Sequence, residues 1–115
     1  MLTLDKFEEA SEKVKEVTLE TKLVYSDFLS EQTGNKVYLK PENMQFTGAY
    51  KVRGAYYKIS TLTETERKKG LITASAGNHA QGVALGATKH GIKSLICLPE
   101  GAPISKVEAT KRYGA

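Results

Sequence analysis

Apolar residues in the first part of the chain recur at the spacing of a helix. Gaps of three and four positions separate Leu4, Phe7, Ala10, Val14 and Val17. Charged residues fill many of the positions between them, so that one face is apolar and the other polar. This pattern predicts an amphipathic helix over about residues 3–17.

The rest of the chain alternates polar turns with apolar runs of helix or strand length. The predicted elements are a short helix over about 26–33, a strand at 37–39, a helix over 52–62, a short helix that starts at a capping box in 63–66, a strand at 71–74, a helix over 78–90, a strand at 92–98 and a helix over 103–113. The alternation of strand and helix from residue 71 onward is typical of an α/β fold with a parallel sheet. Such a sheet needs several strands covered on both faces, and only three strands are predicted. We therefore expect an N-terminal part of a larger α/β protein.

Composition and charge exclude several classes of protein. Hydrophobic residues make up 40% of the chain and charged residues 26%, as in soluble globular proteins. The chain has no run of about 18 apolar residues, the length that would predict a membrane segment. The net charge is +4, but no basic run of five or more residues indicates a nucleic-acid site. The single cysteine, Cys97, predicts a reducing, cytoplasmic location and a buried thiol, and the histidine and cysteine spacing predicts no metal site.

A polar loop joins the strand at 71–74 to the helix that follows. Its sequence, S-A-G-N-H-A-Q-G, occupies residues 75–82. Gly77 permits close approach of a ligand. Asn78 is expected to cap the helix, with Gln81, three residues later, completing the reciprocal bonds of a capping box. The exposed N–H groups at the start of such a helix suit a carboxylate or phosphate. A structural turn with nothing bound explains the same residues equally well.

A second segment places a lysine where a polar loop meets a helix. Lys51 follows Tyr50 and precedes Val52, and Ala55 and Tyr56 are close in sequence. Most lysines in such a chain are surface residues. Apolar surroundings would desolvate this one and favour the neutral amine, which is the nucleophile that forms a Schiff base.

Together the two segments resemble the serine/threonine dehydratase family, which includes the threonine deaminases. The run E-N-M-Q-F-T-G-A-Y-K-V-R-G-A, residues 42–55, is similar to the family's pyridoxal-phosphate attachment segment, and T-A-S-A-G-N-H-A-Q-G, residues 73–82, to its asparagine loop. The resemblance covers about residues 4–115. It implies part of a fold-type II pyridoxal-phosphate enzyme, similar to the tryptophan synthase β subunit. It also implies that about residues 1–50 come from the larger domain and about 51–115 from the smaller.

The resemblance assigns roles to six residues. Lys51 matches the lysine that attaches pyridoxal 5'-phosphate and acts as catalytic base, and Tyr50 stands beside the cofactor. Asn78 matches the residue that hydrogen-bonds the cofactor's ring hydroxyl oxygen. The loop that holds the substrate carboxylate is matched by Ser75, Gly77, Asn78 and His79.

The implied reaction is dehydration and deamination of L-threonine or L-serine to a 2-oxo acid and ammonia. Ala76 stands where related serine racemases have a serine that serves as acid and base, which favours a dehydratase. A serine racemase and a non-catalytic binding or assembly module stay as alternatives. The resemblance also implies a homo-oligomer. It leaves open a catabolic role or one in isoleucine biosynthesis. The family's glycine-rich phosphate loop is not among the 115 residues, so we expect them to be inactive alone.

Overall fold

The computed structural model describes all 115 residues and has the predicted α/β class. Its elements, in chain order, are α1 (Leu4–Val14), β1 (Val24–Tyr25), α2 (Asp27–Thr33), β2 (Tyr38–Leu39), a 3₁₀ turn (Glu42–Met44), α3 (Lys51–Ser60), α4 (Glu64–Lys69), β3 (Leu71–Ala74), α5 (Asn78–Lys89), β4 (Ser94–Cys97) and α6 (Ile104–Arg112). The capping box predicted at α4 is present, with both reciprocal bonds between Thr63 and Glu66. None of these helices is long and apolar enough to cross a bilayer.

The predicted unit of alternating strands and helices from β3 to α6 is confirmed. β3 and β4 are parallel, with Leu71 opposite Ser94 and Ala74 opposite Cys97, and α5 connects them. A second, antiparallel pair joins β2 to β1, a strand that the sequence did not predict. β1 has only two residues, too few to show an alternating pattern.

The packing of α3 against α5 is the main contact between helices and contributes most of the core. Val52 is fully buried, and Tyr56 and Ile59 lie on the same face of α3. The facing side of α5 is lined with small residues, including Ala80 and Ala84, which are also fully buried. Small side chains let the two helix backbones approach closely, and this approach positions the candidate site described below.

One face of the β3–β4 sheet is open. Ile72 is 71% exposed and Leu95 is 61% exposed, while the alternate residues on the other face are partly covered. Cys97 shares the open face and is exposed, so the prediction of a buried thiol is wrong. Its strand is apolar as predicted, but within these 115 residues nothing covers the side to which Cys97 belongs.

The predicted first helix is shorter and less covered than its pattern suggests. α1 ends at Val14, and residues 15–17 form a turn instead. Val14 and Val17 are buried as the apolar stripe predicts, but Leu4 is 70% exposed and Phe7 is 60% exposed. The periodicity therefore identified the apolar face correctly, although only the C-terminal end of that face meets the core.

Candidate functional site

Lys51 is the first residue of α3, and Tyr50 is its N-cap. The Lys51 Nζ lies 5.1 Å from the centroid of the Tyr50 ring, within the range of a cation–π contact. The lysine is exposed, and Tyr50 is itself 59% exposed, so the expected apolar enclosure is absent. The reason is the turn of about 100° between successive helical residues, which directs Val52 into the core on another side of α3.

The residues that precede Lys51 are held by polar contacts with distant parts of the chain. Gln45 is only 4% exposed. Its side chain accepts a 2.9 Å hydrogen bond from the Leu19 N–H and donates a 3.0 Å bond to the Leu19 carbonyl. One amide side chain thus satisfies both backbone groups of a residue 26 positions away. These bonds restrict the path of the chain as it enters α3.

An ion pair reinforces the same segment. The Arg53 guanidinium donates to both carboxylate oxygens of Glu42, at 2.7 and 2.8 Å, and Thr21 donates to one of them. Hydrogen bonding to Arg53 lowers the pKa of the Glu42 carboxyl to about 2. We call residues 42–53 the lysine segment. A bidentate pair across it fixes the loop relative to the first turn of α3, the turn that begins at Lys51.

The loop after β3 is held by fewer contacts, and of the 73–82 motif it comprises residues 75–79, to which we restrict the name asparagine loop. Within it, the Gly77 N–H donates a 3.3 Å hydrogen bond to the Ser75 hydroxyl. The N-cap of α5 is Gly77, without a side-chain bond, so the prediction that Asn78 caps this helix is wrong. Asn78 already has helical geometry, and its side-chain oxygen instead accepts a 3.0 Å hydrogen bond from Lys106 Nζ.

The start of α5 offers several backbone donors. The first intrahelical bond runs from the Gln81 N–H to the Gly77 carbonyl. The N–H groups of Asn78, His79 and Ala80 therefore have no helical acceptor. Together with the positive end of the helix dipole, they form a local environment that favours an anion.

Gly82 brings the two predicted motifs together. A Cβ at this position would lie 3.1 Å from the Lys51 carbonyl oxygen and 3.2 Å from the Val52 nitrogen. The backbone of α5 can occupy this place only because Gly82 has no side chain. The neighbour that this glycine admits is another helix, α3.

A cavity of about 470 Å³ lies beside these helices, a size typical of ligand sites. Three of the six predicted site residues line it, namely Lys51, Tyr50 and His79. The other three, Ser75, Gly77 and Asn78, are in the asparagine loop but do not line the cavity. Lys58 also lines it, about two turns further along α3.

The chemistry of these groups fits part of pyridoxal phosphate. The Lys51 amine has no hydrogen bond or ion pair within the chain, and it is therefore free to attach an aldehyde. Tyr50 offers an aromatic surface beside it, and the start of α5 offers donors for an anionic oxygen. Lys51, Tyr50 and Asn78 are the residues that would hold the cofactor.

Comparison with known proteins identifies the family. The family model described as "Pyridoxal-phosphate dependent enzyme" matches residues 14–115. The chain belongs to this family. As a member of it, the chain has the fold-type II class that its motifs had indicated.

Two curated relatives of this pyridoxal-phosphate family member are matched over its whole length. It is 53% identical to "L-threonine ammonia-lyase" of Thermotoga maritima, over 100% of the chain and 29% of the relative. It is 52% identical to "L-threonine dehydratase catabolic TdcB" of Staphylococcus aureus, over 100% of the chain and 34% of the relative. The chain thus spans about a third of the length of these relatives.

Solved structures of two activities share the fold. Serine racemase from Dictyostelium discoideum superposes with a TM-score of 0.92 at 35% identity, over 99% of this chain and 38% of that one. The processed form of threonine deaminase isoform 2 from Solanum lycopersicum has a TM-score of 0.84 at 35% identity, over 100% of this chain and 33% of that one. The backbone fold alone therefore does not separate lyase from racemase.

Two contributing residues were missed by the sequence analysis. Lys106 contacts Asn78 across 28 positions, and Gly82 touches the backbone of Lys51. Gly82 is the last residue of the 75–82 motif, and its helical spacing of four from Asn78 could have placed it beside the site. No local signal marked Lys106.

Proposed function

We propose that these residues form part of a pyridoxal-phosphate-dependent L-threonine ammonia-lyase, which also accepts L-serine. The observation that carries the proposal is the position of Lys51. Its amine is at the start of α3, beside Tyr50 and a cavity that His79 of α5 also lines, and Gly82 of α5 packs against the Lys51 backbone. The 53% identity to a curated L-threonine ammonia-lyase supports the same activity.

The overall reaction removes the β-hydroxyl as water, takes up one water and releases ammonia. L-threonine gives 2-oxobutanoate, and L-serine gives pyruvate. Bound pyridoxal phosphate would supply the electron sink that stabilises charge at the substrate Cα. Lys51 would hold the cofactor and then, as a free amine, take the Cα proton on Nζ. The N–H groups of the asparagine loop and the start of α5 would bind the substrate carboxylate.

Ala76 favours a lyase over a racemase. A racemase must return a proton to Cα from the opposite face, and this requires a second titratable or hydroxyl group. Ala76 lies in the asparagine loop between Ser75 and Gly77 and has only a methyl group. Its half-buried position leaves this loop residue without a proton donor of its own. We therefore place the racemase second, and a non-catalytic binding or assembly module third.

The attachment site is tested by borohydride reduction of the complete gene product after incubation with pyridoxal 5'-phosphate. Peptide mass mapping should find the pyridoxyl group on Lys51. Lys51→Ala should remove both this adduct and nearly all ammonia release. Lys58→Ala is the matched control, because Lys58 is on the same helix and lines the same cavity. An adduct on Lys58, or normal turnover by Lys51→Ala, would refute the assignment.

The reaction type is tested with L-serine as substrate. Pyruvate should form and D-serine should not, whereas a racemase would produce D-serine. A protein that binds no cofactor and turns over neither amino acid would support the binding-module alternative. We expect the 115 residues alone to release no ammonia from L-threonine, because no glycine-rich phosphate loop is among them.

The wider biology is proposed on the same basis. We propose a cytoplasmic homo-oligomer in which about residues 1–50 belong to the larger domain and about 51–115 to the smaller. The Staphylococcus aureus relative is named as catabolic, and this supports a catabolic role over isoleucine biosynthesis. Light scattering of the complete gene product would test its oligomeric state.

A further inference from the structure

Lys106, in the first turn of α6, contacts the start of α5. It is the third residue of α6, half-buried, and its Nζ contacts the side chain of Asn78, the first residue of α5. At the other end of the pair, the Thr88 hydroxyl donates a 2.7 Å hydrogen bond to the Tyr113 carbonyl. The helices α5 and α6 therefore run in the same direction, with their two starts adjacent.

The contact determines which way the Asn78 amide faces. An ammonium group has only donors, so the atom at 3.0 Å from Lys106 Nζ must be the amide oxygen. The amide NH2 is then directed elsewhere, and no residue of the chain accepts a hydrogen bond from it. Asn78 is exposed, so this NH2 is available to a ligand.

The charge at this place is not balanced by the chain itself. Neither α5 nor α6 has an acidic residue in its first turn, although acidic residues are favoured there. A lysine in the first turn opposes the helix dipole. Lys106 forms no ion pair, whereas Lys111 on the same helix pairs with Glu108. Two helix starts and one cation therefore contribute positive potential, which no acidic residue in either first turn offsets and which favours an anion.

We propose that Lys106 is a positioning residue, which holds the Asn78 amide so that its NH2 meets the anionic ring oxygen of the bound cofactor. The inference rests on the proposed function, because it takes Asn78 as a cofactor ligand. Lys106 acts through Asn78 and does not itself touch the reacting atoms. Lys106 is half-buried, and its backbone carbonyl accepts a 2.8 Å hydrogen bond from the Thr110 hydroxyl within α6.

The first test measures the Kd of pyridoxal 5'-phosphate for the complete gene product by absorbance titration. Lys106→Met should weaken binding roughly 3- to 10-fold, the equivalent of one net hydrogen bond, and shift the absorption maximum of the bound cofactor. Lys106→Arg keeps charge and donors and should retain most of the affinity. In an Asn78→Ala background, Lys106→Met should have no further effect, because the partner is gone.

Lys111→Met is the matched control and should leave both Kd and spectrum unchanged. An equal loss in this control, or additive losses in the double variant, would overturn the proposal. If the unsubstituted protein binds no cofactor, the proposed function fails and this inference fails with it. If it binds normally and Lys106→Met matches it, only this inference fails.

The second test needs no cofactor. In ¹⁵N-labelled protein, the side-chain amide resonances of Asn78 should move when Lys106 is replaced by Met, and should stay in place for Lys111→Met. Unchanged resonances in Lys106→Met would overturn the proposal, because they would show that Lys106 does not hold the amide.

Discussion

The lysine segment and the asparagine loop meet at one site but are built differently. The lysine segment is tied to the distant Leu19 by the side chain of Gln45, and the Glu42–Arg53 ion pair joins its two ends. The asparagine loop has one internal bond, from the Gly77 N–H to the Ser75 hydroxyl, and two outside contacts, from the Ser75 N–H to the Cys97 carbonyl and from Lys106 to Asn78. The backbone that carries Lys51 is therefore held in place by hydrogen bonds and an ion pair. The backbone N–H groups of Asn78, His79 and Ala80, which would bind a ligand, have no acceptor within the chain.

This difference has a physical reason. A polar group that is already satisfied by the protein has little to gain from a ligand, whereas an unpaired donor gains a hydrogen bond. The exposed N–H groups at the start of α5 are solvated in the free protein and available on binding. A polar group cannot both be hydrogen-bonded within the protein and be free to bind a ligand. Here the lysine segment has the groups of the first kind, and the start of α5 has those of the second.

The largest expected effect on stability comes from removing the Glu42–Arg53 ion pair, which we call the brace of the lysine segment. Arg53→Met leaves the Glu42 carboxylate with only weak partners in a half-buried place. We expect a loss of about 2–3 kcal/mol in the free energy of unfolding, less than for a fully buried pair because the two side chains keep 33% and 18% exposure. Urea unfolding measures it. A loss below about 0.5 kcal/mol, typical of surface pairs, would show that the brace is dispensable.

A smaller effect is expected where the two segments touch. Gly82→Ala places a methyl group against the Lys51 backbone, which cannot move as a side-chain end can. We expect a loss of about 1–2 kcal/mol in the free energy of unfolding and less cofactor attached to Lys51. Gly86→Ala is the control, because its Cβ would meet the flexible end of Ile59 at 2.9 Å. Equal cofactor attachment in both variants would contradict the proposed contact.

The brace should also weaken in acid. The pKa of Glu42 is lowered to about 2 in the folded protein, from a usual value near 4.5. Its contribution to stability is therefore complete above pH 4.5 and is lost as the pH falls toward 2. Glu9, Glu16 and Glu66 also have lowered pKa values and contribute in the same direction. Glu42→Gln should reduce the pH dependence of unfolding in this window, and an identical slope would count against the brace.

The smallest expected effect lies in the asparagine loop. Ser75→Ala removes one long hydrogen bond and should change the free energy of unfolding by less than about 0.5 kcal/mol. If Ser75 binds the substrate carboxylate, the KM for L-threonine should nevertheless rise while stability stays constant. A stability loss as large as that of Arg53→Met would remove the distinction between the two segments.

Local patterns predicted much of this structure. Helical spacing of apolar residues located α1 and α3, the turn residues on either side located α5, and the capping box located the start of α4. These features depend on residues within one or two helical turns. β1 was missed because two residues carry no pattern and acquire their structure from pairing with β2. The end of α1 was misplaced because Val17 is buried in a turn rather than in the helix.

By itself, the sequence determined all the longer elements, the two motifs and the family resemblance, because each of these is encoded in consecutive residues. Tertiary structure decided the rest. It left Lys51 and Cys97 exposed, because exposure depends on which faces other elements cover. It also joined Lys106 to Asn78 and placed Gly82 against Lys51. These contacts link positions far apart along the chain, and only the packing of the helices α3, α5 and α6 brings such positions together.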